Sequence, residues 1–318
     1  MLNHALAILP ALLAADEHEP DPMHHVVNNA TVKSESGWWL WSANQGTLVL
    51  SGLIIILVGL WAAARIRTGP ASQGAEAYVT RNKFAHLLEV LCAYLRDEVA
   101  RPLLGDRTDK LMPFLWTIFF FVLVNNLLGL VPVRDIQEML GIDKPFVGGT
   151  ATQNIWVTGA LAIIAGLFFN VAAIVRLGPG GFVKHMMGGL PVYMLPIAFL
   201  LLVIEAAGQF LIKPFALALR LFANMTAGHV LIATLLLMAG AAITKVTHGI
   251  EVGGSALSVI ISVAAIIALT FLELFVAFLQ AFVFMFLTTI FISLMDHHDE
   301  HGHEHEHGHA HGHEHAHA

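Results

Sequence analysis

The residues with chemistry to offer in this 318-residue chain are Arg220, His229 and Glu273, with the amides Asn224 and Gln280 spaced among them. Arg220 stands inside LLVIEAAGQFLIKPFALALRLFANMTAGHVLIATLLLMAG, a run whose other ionisable groups are Glu205, Lys213 and His229. Arginine does not lose its proton in a protein. A fixed charge at membrane depth costs at least ~3 kcal/mol, so such a residue faces protein or a water-filled path. Histidine titrates near neutrality, and an imidazole level with a carboxylate at membrane depth is suited to a proton relay. Arg220 and Asn224, four residues apart, share a helical face, and Glu273 and Gln280, seven apart, share another. His229 points almost opposite to Arg220 and lies about 13 Å further along at helical rise.

These residues need long apolar helices to hold them. The chain is 57% hydrophobic and 12% charged, against about a quarter charged in soluble domains. It is therefore an all-α, polytopic membrane protein, with about five membrane helices and one interfacial amphipathic helix. Spans are expected at 47–64, 111–131 and 154–175, followed by two longer apolar stretches at about 191–240 and 255–295. The 191–240 stretch exceeds the ~20 residues of an upright span, so it is strongly tilted or broken near Pro196 or Pro214. FAHLLEVLCAYLRDEVARPLL, at 84–104, alternates apolar and charged residues at helical spacing and reads as a helix on the membrane surface. Trp38, Trp39 and Trp41 precede the first span like an interfacial anchor. Gly-rich 176–189 reads as a loop. Pairing the two long stretches across a short loop near residue 250 sets Arg220 level with Gln280 and His229 level with Glu273.

Three parts follow from composition: an external arm over 1–46, a membrane domain over 47–295, and a His-rich tail over 296–318. The arm begins with a short apolar stretch that lacks the basic start of a cleaved signal. The tail, DHHDEHGHEHEHGHAHGHEHAHA, has no residues to build a core and reads as disordered. His297 to His317 offer imidazoles to Zn²⁺, Ni²⁺ or Cu²⁺, or a solvated extension with no transport role. Ten Lys and Arg fall on the side of the 65–110 and 176–184 segments. Four (Lys33, Arg134, Lys144 and Lys245) fall on the other. The positive-inside rule then places the N-terminus outside and the C-terminus in the cytoplasm. The single Cys92 excludes an intrachain disulfide. No phosphate-binding loop, no cofactor motif and no basic, aromatic-studded patch for nucleic acid is found.

LIKPFALALRLFANMTAGHVL, with FLELFVAFLQAFVFMFLTTIFISL downstream and NNLLGLVPV in the second span, closely resembles subunit a of the F-type ATP synthase, and the likeness covers most of 47–295. The resemblance implies a non-catalytic stator in the bacterial plasma membrane that holds half-channels against a rotating ring of c subunits, beside the b-subunit stalk and other synthase subunits. Arg220 matches the family's essential arginine, which faces the ring carboxylate and blocks a direct leak. Asn224 and Gln280 match its polar neighbours. His229 and Glu273 match the outer relay, with acid and histidine exchanged relative to some relatives. Asn126, Asn154 and Glu205 match path-lining positions. The chain departs from the family pattern in two places: Gly129 stands where an acid is often found, and the spacing from Glu205 to Arg220 is one residue long.

Other readings stay open from the residues alone. Lys213 is equally suited to snorkelling, and Asn224 and Gln280 to interhelical hydrogen bonding. A Na⁺-coupled form of the same subunit fits the sequence, since the ring fixes the ion. A secondary transporter anchoring an anionic substrate on Arg220 predicts inverted repeats, which are absent. A purely structural scaffold predicts that Arg220 and the His229–Glu273 pair tolerate apolar replacement.

Overall fold

A computed structural model describes residues 30–33, 39–66, 72, 80–131, 133, 137, 140–141, 147–188, 195–247 and 252–297. Most of the arm (1–29 and 34–38, including Trp38), the tail from 298, and Arg134 and Lys144 lie outside the described residues. Among the described residues, five helical segments are long and apolar enough to cross a membrane, which establishes the polytopic helical class.

Ahead of the first span the chain forms a two-stranded antiparallel hairpin, β1 (Ala30–Lys33) with β2 (Trp39–Ser42), in a segment read from sequence only as an arm. Helix α1 (Ala43–Ala63) starts directly after it. Ser42 and Gln45 form a reciprocal capping box: the Ser42 amide donates to Gln45 Oε1 at 2.9 Å, and the Gln45 amide donates to Ser42 Oγ at 3.4 Å. Two otherwise orphaned donors at the helix start are thereby satisfied. Thr47 Oγ1 then receives the Gly148 amide at 3.2 Å, tying the start of α1 to the loop before the third span.

The surface helix begins at an Asn82 cap as α2 (Lys83–Tyr94), continues as a π-helical stretch Leu95–Ala100, and ends in a short α3 (Arg101–Leu104). Phe84, Leu87, Val90 and Tyr94 leave an exposed apolar face along α2. Leu95, Val99 and Ala100 are buried in the core. An exposed apolar face beside a packed one is the arrangement expected for a helix lying in the interface. Gly105, at φ 54°, breaks the helix where a residue with a Cβ would be strained. After the turn comes α4 (Thr108–Leu130).

Helix α5 (Ile155–Met186) is longer than the 154–175 expectation. The Gly-rich 176–189 segment is helical to Met186 apart from Gly178, whose φ of 71° and ψ of 163° kink the chain. Pro179 follows at a position where its missing N–H and fixed φ suit a helix start, so the glycines and proline reset the helix direction here.

The long apolar stretches form α6 (Leu195–Ala207), a π-helical turn Gly208–Ile212, α7 (Lys213–Thr247) and α8 (Val252–His297). Neither Pro196 nor Pro214 breaks the helix. Pro196 is the second residue of α6. Pro214 follows the π-turn, where the irregular ladder accommodates a ring that would otherwise meet the carbonyl four residues back. Gly166 of α5 lets Pro214 approach closely: a Cβ there would lie 3.0 Å from Pro214 Cγ.

The chain divides into two compact units. One runs over Ala30–Met225 and resumes at Leu274. Its core joins Met112, Leu115, Phe119 and Val122 of α4 to Ala165 and Phe169 of α5, Leu217 and Leu221 of α7, and Ala281, Phe284 and Met285 of α8. The alanines allow the helix axes to approach, as in other membrane bundles. The other unit, among the described residues, is Thr226–Glu273, the two arms of a helical hairpin. Ala239, Ala242, Ser262 and Glu273 are buried within it.

Candidate functional site

Helix α7 presents two different faces in its first turns. Leu217, Ala218, Leu221 and Met225 are buried, while Phe215, Leu219, Arg220 and Ala223 are exposed. Arg220 therefore projects from an outward, otherwise apolar face, and it makes no hydrogen bond or ion pair among the described residues. Asn224, one turn on, is half-buried. Gln280 of α8 is 7% exposed. Four residues apart in α7, Arg220 and Asn224 lie on one side of the helix.

The hairpin unit brings His229 and Glu273 together, as depth matching across the loop requires. His229 Nε2 lies 3.8 Å from Glu273 Oε1. That is within ion-pair reach when the imidazole is protonated, but too long for a hydrogen bond. The Glu273 side chain is buried, and neither of its carboxylate oxygens has a hydrogen-bond partner among the described residues. Burying an acid without donors is costly.

Asn126 is fully buried in α4, with both ends of its amide engaged. Its Nδ2 donates to the Ala277 carbonyl at 3.4 Å, and its Oδ1 accepts from Thr152 Oγ1 at 2.9 Å. Thr152 belongs to a single 3₁₀ turn, Ala151–Gln153. That turn packs on α4 because residue 129 is glycine: a Cβ there would collide with the Thr150 side chain. The position where an acid is often found in the resembling family is thus occupied by a threonine from the neighbouring loop. Sequence reasoning missed Thr150 and Thr152. Their only signal was polar residues in a loop next to a span.

Asn154 caps α5, accepting the Trp156 amide at 3.0 Å. Such a cap contributes about 1 kcal/mol to the helix. Its side chain is thereby committed to the helix start. Glu205 accepts from Gln209 Nε2 at 3.2 Å, and Lys213 Nζ lies 3.9 Å from the same oxygen. Lys213 also sits 5.2 Å from the Phe291 ring centroid. It is held by internal partners, which weighs against snorkelling. The π-turn Gly208–Ile212 lies between Glu205 and Arg220 and takes up one residue relative to a regular helix. No group of three or more His, Cys, Asp or Glu suited to a metal occurs among the described residues. The His297–His317 tract is not described beyond the backbone of His297.

Residues 46–293 match the family described as ATP synthase A chain. The chain is 36% identical over 300 residues to ATP synthase subunit a of Chloroherpeton thalassium, covering 89% of this chain and 80% of that one. It is 32% identical to ATP synthase subunit a 2 of Chlorobaculum tepidum, covering 94% and 80%. Against ATP synthase subunit a of Myxococcus xanthus it is 39% identical over 232 residues, covering 70% and 66%.

Proposed function

The chain belongs to the ATP synthase A chain family, and from that premise we propose that it is the proton-translocating, non-catalytic stator subunit of a bacterial F-type ATP synthase. Its partners are then a ring of c subunits, the b-subunit stalk and the remaining synthase subunits. It resides in the plasma membrane with its N-terminus outside and its C-terminus in the cytoplasm. The observation that carries this reading is the exposed Arg220 on an apolar helix face. Lipid is a poor neighbour for a guanidinium, so an acidic partner that moves past this face is the group that fits it.

In this reading protons arrive from outside through a path that Asn126 borders. They pass between the Glu273 carboxyl and the His229 imidazole, and then neutralise a carboxylate on the ring. A neutral ring site leaves Arg220 and travels through lipid. On return, Arg220 favours the ionised carboxylate, and the proton leaves to the cytoplasm along a path bordered by Glu205. Asn224 and Gln280 supply hydrogen bonds beside the arginine. Each charge falling through 100 mV supplies about 2.3 kcal/mol, so several transfers accumulate through rotation for each ATP. The His229–Glu273 pair favours H⁺ over Na⁺, because an imidazole relays protons and a bare alkali cation gains little from it.

The test is reconstitution of the whole complex in liposomes energised by a pH step and a K⁺ diffusion potential, with ATP synthesis measured in the presence and absence of Na⁺. Synthesis independent of Na⁺ and lost with Arg220→Ala is the expected result. Synthesis that requires Na⁺ would overturn the proton assignment, and an active Arg220→Ala complex would overturn the stator mechanism.

A further inference from the structure

Gly228 lies inside α7, in the turn that carries His229. Its backbone is ordinary helix, so no left-handed conformation calls for glycine here. Glycine in a helix interior costs about 0.5–1 kcal/mol relative to alanine. What the missing side chain provides is room. A Cβ at position 228 would collide with Glu273 Oε1, and it would stand 3.0 Å from Cδ and 3.4 Å from Cγ of the same residue. The Glu273 carboxyl thus sits flat against the backbone of the opposing arm, in space that any other residue would fill. The oxygen seated there is the one 3.8 Å from His229 Nε2.

We propose that Gly228 is a positioning residue for proton transfer: it seats the Glu273 carboxyl on α7 and so sets its separation from His229. The inference rests on the relay reading above and deepens it. The transfer itself breaks the carboxyl O–H bond and forms the imidazole Nε2–H bond, and the imidazole then releases a proton from its other nitrogen. From 3.8 Å, a movement of about 1 Å brings the two groups to hydrogen-bond distance. A methyl group at 228 pushes the carboxyl off its seat. A shorter acid at 273 withdraws the carboxyl by one methylene and restores room for that methyl.

The experiment uses the complete synthase in inverted membrane vesicles. It reads ATP-driven proton pumping, and passive proton conductance after the catalytic sector is stripped. Gly228→Ala is expected to lower conductance by about tenfold or more, because misplacing a reacting group by ~1 Å costs on the order of 10²-fold. The pair Gly228→Ala/Glu273→Asp is expected to conduct several-fold better than Gly228→Ala alone. A merely destabilising alanine would not be rescued by this shortening. A double variant no better than Gly228→Ala overturns the proposal, as does a Gly228→Ala complex with full conductance. Glu273→Gln separates the two levels. If Glu273→Gln conducts normally, the relay reading fails. If it is inactive while Gly228→Ala is normal, only the Gly228 assignment fails. Should Gly228→Ala not assemble, recovery of assembly by Gly228→Ala/Glu273→Ala supports the steric seat, and failure to recover counts against it.

Discussion

Asn126 and Glu273 are both buried polar side chains on membrane helices, yet they are held in opposite ways. Asn126 has a donor and an acceptor for its amide, supplied by Thr152 and Ala277. Among the described residues, Glu273 has neither oxygen hydrogen-bonded and one imidazole 3.8 Å away. A buried amide with its hydrogen bonds made is at rest and fixes the packing around it. A buried acid without donors sits in a costly state, which is relieved when a proton or a cation reaches it. The same contrast separates Asn154, whose side chain caps a helix, from Arg220, which projects outward without a partner among the described residues. In the proposed reading the hydrogen-bonded amides Asn126 and Asn154 hold the scaffold, and Arg220 and Glu273 act on the proton.

Substitutions on both sides test that division, beginning with the most severe. Arg220→Ala is expected to reduce ATP synthesis to background while the ring still co-purifies with the complex. Normal ATP-driven pumping in this variant would show that the exposed charge has no part in the route. Next, Glu273→Gln and His229→Ala should each cut proton conductance by about 10²-fold or more, the range typical of a lost acid–base group. The exchanged pair His229→Glu/Glu273→His should do better than either single removal, because one acid and one imidazole remain. A double exchange worse than both would break the relay.

The scaffold side predicts a different signature. Gly129→Ala forces a methyl group against Thr150. It should cost about 1–3 kcal/mol of stability, the usual penalty for overpacking, read as a lower thermal midpoint of the assembled complex. Thr152→Val leaves Asn126 Oδ1 without its donor, at about 1–3 kcal/mol for a stranded buried acceptor and toward the lower end if the loop relaxes. In both cases the assembled fraction should keep most of its pumping. If Thr152→Val instead reduces pumping as severely as Glu273→Gln, the Asn126 hydrogen bonds are needed for proton passage and not only for packing beside the path, and the division fails at that point.

Much of this was legible in the sequence because membranes limit what a chain is able to do. With no water in the bilayer core, long apolar stretches must close their backbone hydrogen bonds as helices, so the spans follow from hydropathy. Arg220 stands out because its charge cannot be removed. The His229–Glu273 contact followed from pairing two long helices across a short loop, since helical rise is constant and levels match. Other features depended on tertiary contacts. The end of α5, from 176 to Met186, reads as loop because its glycines and proline outweigh hydropathy. The β1–β2 hairpin left no clear mark in a segment rich in polar residues. Which polar groups are satisfied was not legible at all.

Composition and order by themselves determined the helical membrane class, the apolar segment that carries the arginine and the level at which His229 meets Glu273, because each depends on local hydrogen bonding and fixed rise per residue. Only the tertiary structure decided that Arg220 faces outward, that Thr150 fills the space beside Gly129, and that Gly228 makes room for a carboxylate. Those outcomes depend on which side chains meet across helices, and steric fit between residues distant in sequence is not written in either segment alone.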